Sequence, residues 1–170
     1  MDVMEAILTR RSIRSYQDKP IEKEKLARVL ETGRQAPSSA NSQPWRILVV
    51  TDAATRKKLV AAANGQEFIG QAPAVIVGCA AKTDKVMPCG QQAYPIDVAI
   101  CMTTMSLAAT GEGLGTCWIG AFKEDAVKKV LGIPKEVRVV ELMPIGYPTS
   151  QPDARPRMPM EEFAVFEKWS

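Results

Sequence analysis

The sequence predicts a mixed fold of helices and strands in one domain, in the order ααβαβαβαβ, and three observations predict it. Stretches with apolar residues at helical spacing alternate with short, continuous apolar runs rich in Val and Ile, which read as strands. One stretch, residues 96–110, is apolar on nearly every face and demands burial on all sides. A chain of 170 residues with 46% hydrophobic and 24% charged residues can supply a core around it.

Each element has its own signal. Val3, Met4, Ile7 and Leu8 recur at helical spacing, so a first helix covers residues 2–9 and runs into the basic segment 10–14. Pro20, Glu22 and Glu24 open a second helix with Leu26, Val29 and Leu30 on one face and Gly33 near its end. The polar stretch APSSANSQP follows as a loop. Residues 45–50 form a strand, Asp52 caps a helix carrying Leu59 and Val60, and residues 74–79 form a second, buried strand. The apolar helix ends in Gly111, Gly113 and Gly115. GEGLGT follows a helix and opens a strand, the reverse of a dinucleotide-binding turn, so these glycines suit a left-handed helix end. A strand at 116–119, a helix at 123–131 and a strand at 137–143 complete the order. Residues 148–159 are proline-rich and extended, and Phe163, Phe166 and Trp169 follow at intervals of three, needing somewhere to dock.

Composition narrows the chemistry. A net charge of +3 is too mild to imply nucleic acid, although it suits a small anionic ligand. No run reaches 18 apolar residues, and the N-terminus carries Asp2 and Glu5 instead of an unbroken apolar core, so a cytoplasmic protein with no membrane partner is expected. Histidine is absent, which removes the commonest general base, the Ser-His and Cys-His pairs and most zinc sites; no metal is expected, and a cofactor is. Cys79, Cys89, Cys101 and Cys117 form no C-x-x-C pair and read as reduced thiols. Cys79 and Cys101 lie in apolar runs as structural thiols; Cys89, in the loop MPCGQQAYP, is left open to redox or substrate contact.

Three constellations remain. RRSIR places Arg10, Arg11 and Arg14, three of the ten arginines, beside Ser12, a set that can grip a phosphate; a solvated basic face is the plain alternative. Arg155 and Arg157 alternate on an extended segment, so both can point the same way. PSSANSQPW is either a turn or a rigid loop in which Ser38, Ser39, Asn41 and Gln43 offer donors and acceptors to a planar ligand, with Trp45 as its anchor.

Taken in order, RRSIR, APSSANSQPW, the segment IDVAICMTTMSLAATGEGLGTCWIG and the late basic pair resemble the FMN-dependent nitroreductase family over nearly the whole chain. The resemblance implies an α+β domain, with a mixed central sheet flanked by helices, in an intertwined homodimer that binds FMN at the subunit interface. It assigns Arg10, Arg11 and Ser12 to the phosphate and ribityl chain and Arg14 to the pyrimidine edge. Pro37, Ser38, Ser39 and Asn41 would reach the flavin from the other subunit. Ile119, Gly120 and Ala121 would lie beside the isoalloxazine ring, and Arg155 with Arg157 would close on the phosphate. Residues 148–170 would form a C-terminal arm of the single domain 1–170. Two departures stand out: AAKTDKVMPCGQQAYP is short where larger relatives cover the flavin, which implies an open site, and Asn64 and Gln66 are the nearest counterparts of the family's amide contacts.

The resulting expectation is an oxidoreductase in which NADH or NADPH reduces bound FMN and a small acceptor, such as a nitroaromatic or quinone, then collects the electrons by a ping-pong mechanism. A flavin carries the hard chemistry, so a chain without histidine suffices. The alternatives are a non-catalytic FMN-binding or flavin-storage protein and a phosphate or nucleic-acid binder using RRSIR.

Overall fold

The computed structural model describes residues 1–169. Its centre is a four-stranded sheet in the order β1 (Trp45–Val50), β2 (Ala74–Ala80), β4 (Arg138–Gly146), β3 (Gly115–Thr116). These strands pair antiparallel throughout, and the parallel component of the expected mixed sheet is confined to one bridge, Ser12 to Thr116. That bridge lays the basic segment along the outer side of β3.

The third strand is shorter than the expected 116–119. Its register with β4 sets Thr116 opposite Ile145, is lost, and returns at the bridge between Ile119 and Leu142. Continued through the gap, the register brings Cys117 opposite Pro144, which has no N–H to give the ladder, and the Pro144 carbonyl instead accepts the Tyr16 hydroxyl at 3.2 Å.

Helices cover both faces of the sheet. On one face α2 (Lys23–Arg34) and α5 (Ala93–Gly111) bring Val29, Met102 and Met105 against Ile76, Met143 and Ile145. On the other, Leu59 of α3 (Ala53–Ala62), Ile69 of α4 (Phe68–Gln71) and Val127 of α6 (Glu124–Leu131) meet Val75, Val77 and Leu142. Burying each such side chain contributes roughly 1.5 to 3 kcal/mol. Helix α5 starts three residues before the expected position because Pro95, in its first turn, gives up a donor that no helix uses there. It ends as expected, on Gly113 in the left-handed region, with the Leu114 N–H donating back to the Ala109 carbonyl at 2.8 Å. Among these apolar layers lies Glu141 of β4, opposite Gly78 and fully buried, neither of its carboxyl oxygens finding a partner among the described residues.

Apolar surface is left over. Within a single chain α5 is not covered on all sides: Val98, Cys101, Met102 and Met105 are buried, whereas Ile96 is exposed and Ile100 and Leu107 are half-buried. In α1 (Val3–Thr9) the face formed by Val3, Met4, Ile7 and Leu8 is exposed and only Ala6 is buried. From the end of the short helix α7 (Met160–Phe163) onward the three aromatics dock on nothing among the described residues, with Phe163, Phe166 and Trp169 exposed by 71%, 85% and 95%. Ser170, the last residue of the expected arm, lies outside the described residues. Among those residues no helix is long and apolar enough to cross a membrane.

Candidate functional site

Helix α1 delivers the basic segment. Arg10 leaves the helix with extended backbone, and Arg11 turns back so that its Nη1 donates to the carbonyls of Leu8 at 2.8 Å and Arg10 at 2.9 Å, capping the helix end. Its buried Nε has no partner among the described residues. The Ile13 N–H donates to the Thr116 carbonyl at 2.9 Å, and the Ile13 side chain occupies the place a Cβ on Gly115 would need, so only glycine lets segment and strand lie this close.

The other end of the chain comes back to the same spot. Thr149 N–H donates to the Ser15 carbonyl at 3.1 Å, Gln17 Nε2 to the Pro148 carbonyl at 2.8 Å and Gln151 Nε2 to the Thr9 carbonyl at 2.8 Å. The following residues therefore pass over RRSIR, and Arg10, Arg11, Ser12, Arg14, Pro152, Asp153, Arg155 and Arg157 line one cavity of about 200 Å³. Five guanidinium groups share it with a single carboxylate. None of the five makes an ion pair among the described residues. Beneath them burial pushes the Cys117 thiol up, an effect that the nearby Arg14, Ser12 and Arg10 oppose.

Elsewhere, the loop 37–43 contains a single 3-10 turn, Ser39–Asn41. Asp97 of α5, 2% exposed, accepts the Ser39 N–H at 2.9 Å on Oδ1 and the Ser42 hydroxyl at 3.4 Å on Oδ2. Lys85 Nζ donates to the Ser39 carbonyl at 2.7 Å, Ser38 Oγ accepts the Gln43 N–H at 3.0 Å, and Gln43 Nε2 donates to Asn41 Oδ1 at 2.9 Å. Pro37, Asn41 and Gln43 are exposed. Within one chain this loop borders a different cavity, shared with Lys82, Lys85 and Tyr94, and is not joined to the arginine cavity.

Residues 119–121 form the third part. Ile119 is buried while Gly120 and Ala121 are exposed. Asn64 Nδ2 and Gln66 Nε2 both donate to the Ala121 carbonyl, at 3.2 and 3.1 Å, so in this structure the two amides hold the loop in place. Cys89 is exposed in the short segment after β2, which closes on itself through the Val86–Gln92 bridge; the other three thiols are buried, and all four are free.

The sequence reading had no role for Asp97, Lys85 or Cys117. Asp97 carried a usable signal: it is the only charged residue in the 19-residue α5, and a buried carboxylate must find donors. Lys85 and Cys117 carried none, since their roles depend on tertiary neighbours.

The family model for the nitroreductase family matches residues 7–67 and 60–147. The chain belongs to the nitroreductase family. This nitroreductase-family chain is 33% identical to the FMN reductase (NAD(P)H) of Bacillus subtilis over 94% of its own length and 71% of that protein. A nitroreductase family protein from Clostridium difficile has a similar structure, with a TM-score of 0.89 at 32% identity, covering 99% of this chain and 100% of the other. The NADPH:FMN oxidoreductase of Vibrio harveyi, solved in complex with NAD+, superposes with a TM-score of 0.90 at 27% identity over 99% of this chain and 78% of that one. Arg10, Arg11, Ser12 and Arg14 fall inside the segments matched by the family model, and Arg155 and Arg157 beyond them.

The donor set fits the phosphate end of FMN. Guanidinium groups grip phosphate oxygens in pairs, Ser12 adds a hydroxyl, and the buried Arg11 Nε has no partner among the described residues.

Proposed function

We propose that this chain is an NAD(P)H-dependent FMN oxidoreductase that reduces a small acceptor such as a nitroaromatic or quinone. The single observation that carries the reading is the cavity in which RRSIR meets Arg155 and Arg157, two clusters far apart in sequence whose charges lack ion-pair partners among the described residues. When bound, FMN would supply the redox chemistry, serving as the carrier of electrons between the nicotinamide and the acceptor. Arg10, Arg11, Ser12, Arg155 and Arg157 bind its phosphate and ribityl chain. Arg14 would offer positive charge to the pyrimidine edge and so favour the reduced flavin. Ile119, Gly120 and Ala121 line the ring, with Asn64 and Gln66 keeping the Ala121 carbonyl in position.

The reading includes a homodimer. Pro37, Ser38, Ser39 and Asn41 lie away from this chain's own arginine cavity, and contact with a flavin held by the other subunit gives them a ligand. The exposed face of α1, the open side of α5 and the terminal aromatics are apolar surfaces that a second copy would bury. Residues 148–170 act in it as an arm of the single domain 1–170. The setting is cytoplasmic, where four free thiols stay reduced.

The visible spectrum of the purified protein tests the cofactor, with mass spectrometry of the released flavin, and bleaching by NADH against NADPH tests the donor. Steady turnover with menadione or a nitroarene is expected. A bound flavin that never turns over would mark a storage protein instead, and a colourless protein that takes up no FMN would overturn the reading.

A further inference from the structure

The loop 38–43 has an unfavourable backbone. Ala40, Asn41 and Gln43 have φ of 49°, 53° and 45°, three non-glycine residues in the left-handed region within four positions. Its side chains are exposed or only half-buried, so apolar packing does not impose this shape. Hydrogen bonds do. The peptide groups on either side of Ser39 are gripped by opposite charges: the N–H is held by Asp97 at 2.9 Å and the carbonyl by Lys85 at 2.7 Å. Asp97 also reaches the far side of the turn through the Ser42 hydroxyl. Every other residue of α5 is uncharged, and burying a carboxylate in such a helix has a cost that only well-placed donors offset. The loop returns two of them.

We infer that Asp97 is a positioning residue for the cofactor, holding the loop 38–43 together with Lys85 in the strained conformation that presents Ser38, Ser39 and Asn41 to FMN. The inference rests on the proposed flavin function. A strained loop fixed in advance loses less freedom on binding, so the clamp acts on FMN affinity without touching the flavin. By the dimer reading, the affinity it sets belongs to the partner's site.

The test compares the full-length protein with Asp97→Ala, Asp97→Asn and Lys85→Met, reading amide hydrogen exchange at residues 39–43 in the flavin-free form and FMN affinity by fluorescence quenching. Asp97→Ala should speed exchange in the loop and raise the FMN Kd by about tenfold, as expected when the loop must be ordered on binding. Asp97→Asn keeps an acceptor for the Ser39 N–H and should recover most of that loss, which a purely electrostatic role would not allow. Lys85→Met, on a half-buried side chain, should weaken FMN by a smaller factor in the same direction, and it carries the test if Asp97→Ala does not fold. Loosened exchange with unchanged FMN affinity, or equal losses in the Ala and Asn variants, would overturn the inference while leaving the flavin function standing. A wild-type protein that binds no FMN would overturn both.

Discussion

Ile13 packs against Gly115 in the space where any other residue would carry its Cβ. This contact seats the basic segment on β3, so Gly115→Ala should push residues 10–14 off the strand. Overpacking of this kind costs about 1 to 3 kcal/mol. Urea denaturation should register the loss, and flavin content should fall with it; a variant with full stability and full flavin would separate the segment from the site.

Arg10 and Arg157 face one cavity from opposite ends of the chain. Replacing either with alanine should weaken FMN by about ten- to a hundredfold, the range for one hydrogen bond to a charged group. Fluorescence titration measures it. Unchanged affinity in both variants would remove them from the phosphate site. The released flavin should be FMN, because this pocket suits one terminal phosphate and the chain has no glycine-rich turn for a pyrophosphate.

Glu141 makes stability depend on pH. Burial pushes its carboxyl up to about 9, against an ordinary value of 4.5, with the Cys101 and Cys117 thiols as its titratable neighbours. Between those values the unfolded chain gives up a proton that the folded chain keeps, so stability falls as pH rises through this window and levels off above it. At pH 7 the penalty is roughly 3 kcal/mol. Glu141→Gln should therefore stabilise the protein little at pH 5 and progressively more toward pH 9 in thermal melts. A gain independent of pH would contradict a protonated Glu141.

Cys89 is exposed, and hydride transfer to a flavin needs close, ordered stacking and not a thiolate. Cys89→Ser should leave the rate of flavin bleaching by NAD(P)H unchanged in stopped-flow measurements. Loss of reduction would make the mechanism wrong in an essential part; loss with one acceptor alone would place Cys89 over that substrate.

Deleting residues 161–170 removes Phe163, Phe166 and Trp169, which find no cover among the described residues. Dimer affinity and FMN affinity should fall together, since a site shared between subunits links the two equilibria. Sedimentation of the truncated protein alongside a flavin titration measures both. A stable monomer with full flavin occupancy would defeat the shared site.

Local signals carried much of the fold. The strand 45–50 and the Asp52 cap match β1 and the start of α3, because a β-rich apolar run and a capping side chain are both signals carried by the segment itself. Glycine placement likewise foretold the end of α5 and ruled out a nucleotide turn. What stayed illegible depended on other parts of the chain. Pro144 interrupts β3 from the neighbouring strand, α4 is too short to show a period, and the apolar face of α1 has no partner among the described residues. For the site, the two arginine clusters could be read individually, but their meeting required the hydrogen bonds between residues 148–151 and 9–17. Asn64 and Gln66 drew notice as amides for the ligand; that each also gives an N–H to the Ala121 carbonyl could be seen only in the folded chain.

The walls of the arginine cavity are contributed by residues 10–14 and 152–157, with almost the entire chain looped between them. An anion seated there works as a clasp on that loop. Hydrogen bonds between residues 148–151 and 9–17 already close that long circuit, so the charged contacts need hold only the few residues that follow, a loop whose closure costs little entropy. Releasing the anion would free the tail from residue 152 onward while leaving the sheet intact, and the bond after Arg157 would then be open to a protease that cuts after arginine, whereas Pro156 protects the bond after Arg155. Limited trypsin digestion thus becomes a gauge of occupancy, and the tail a seal that fails well before the fold does.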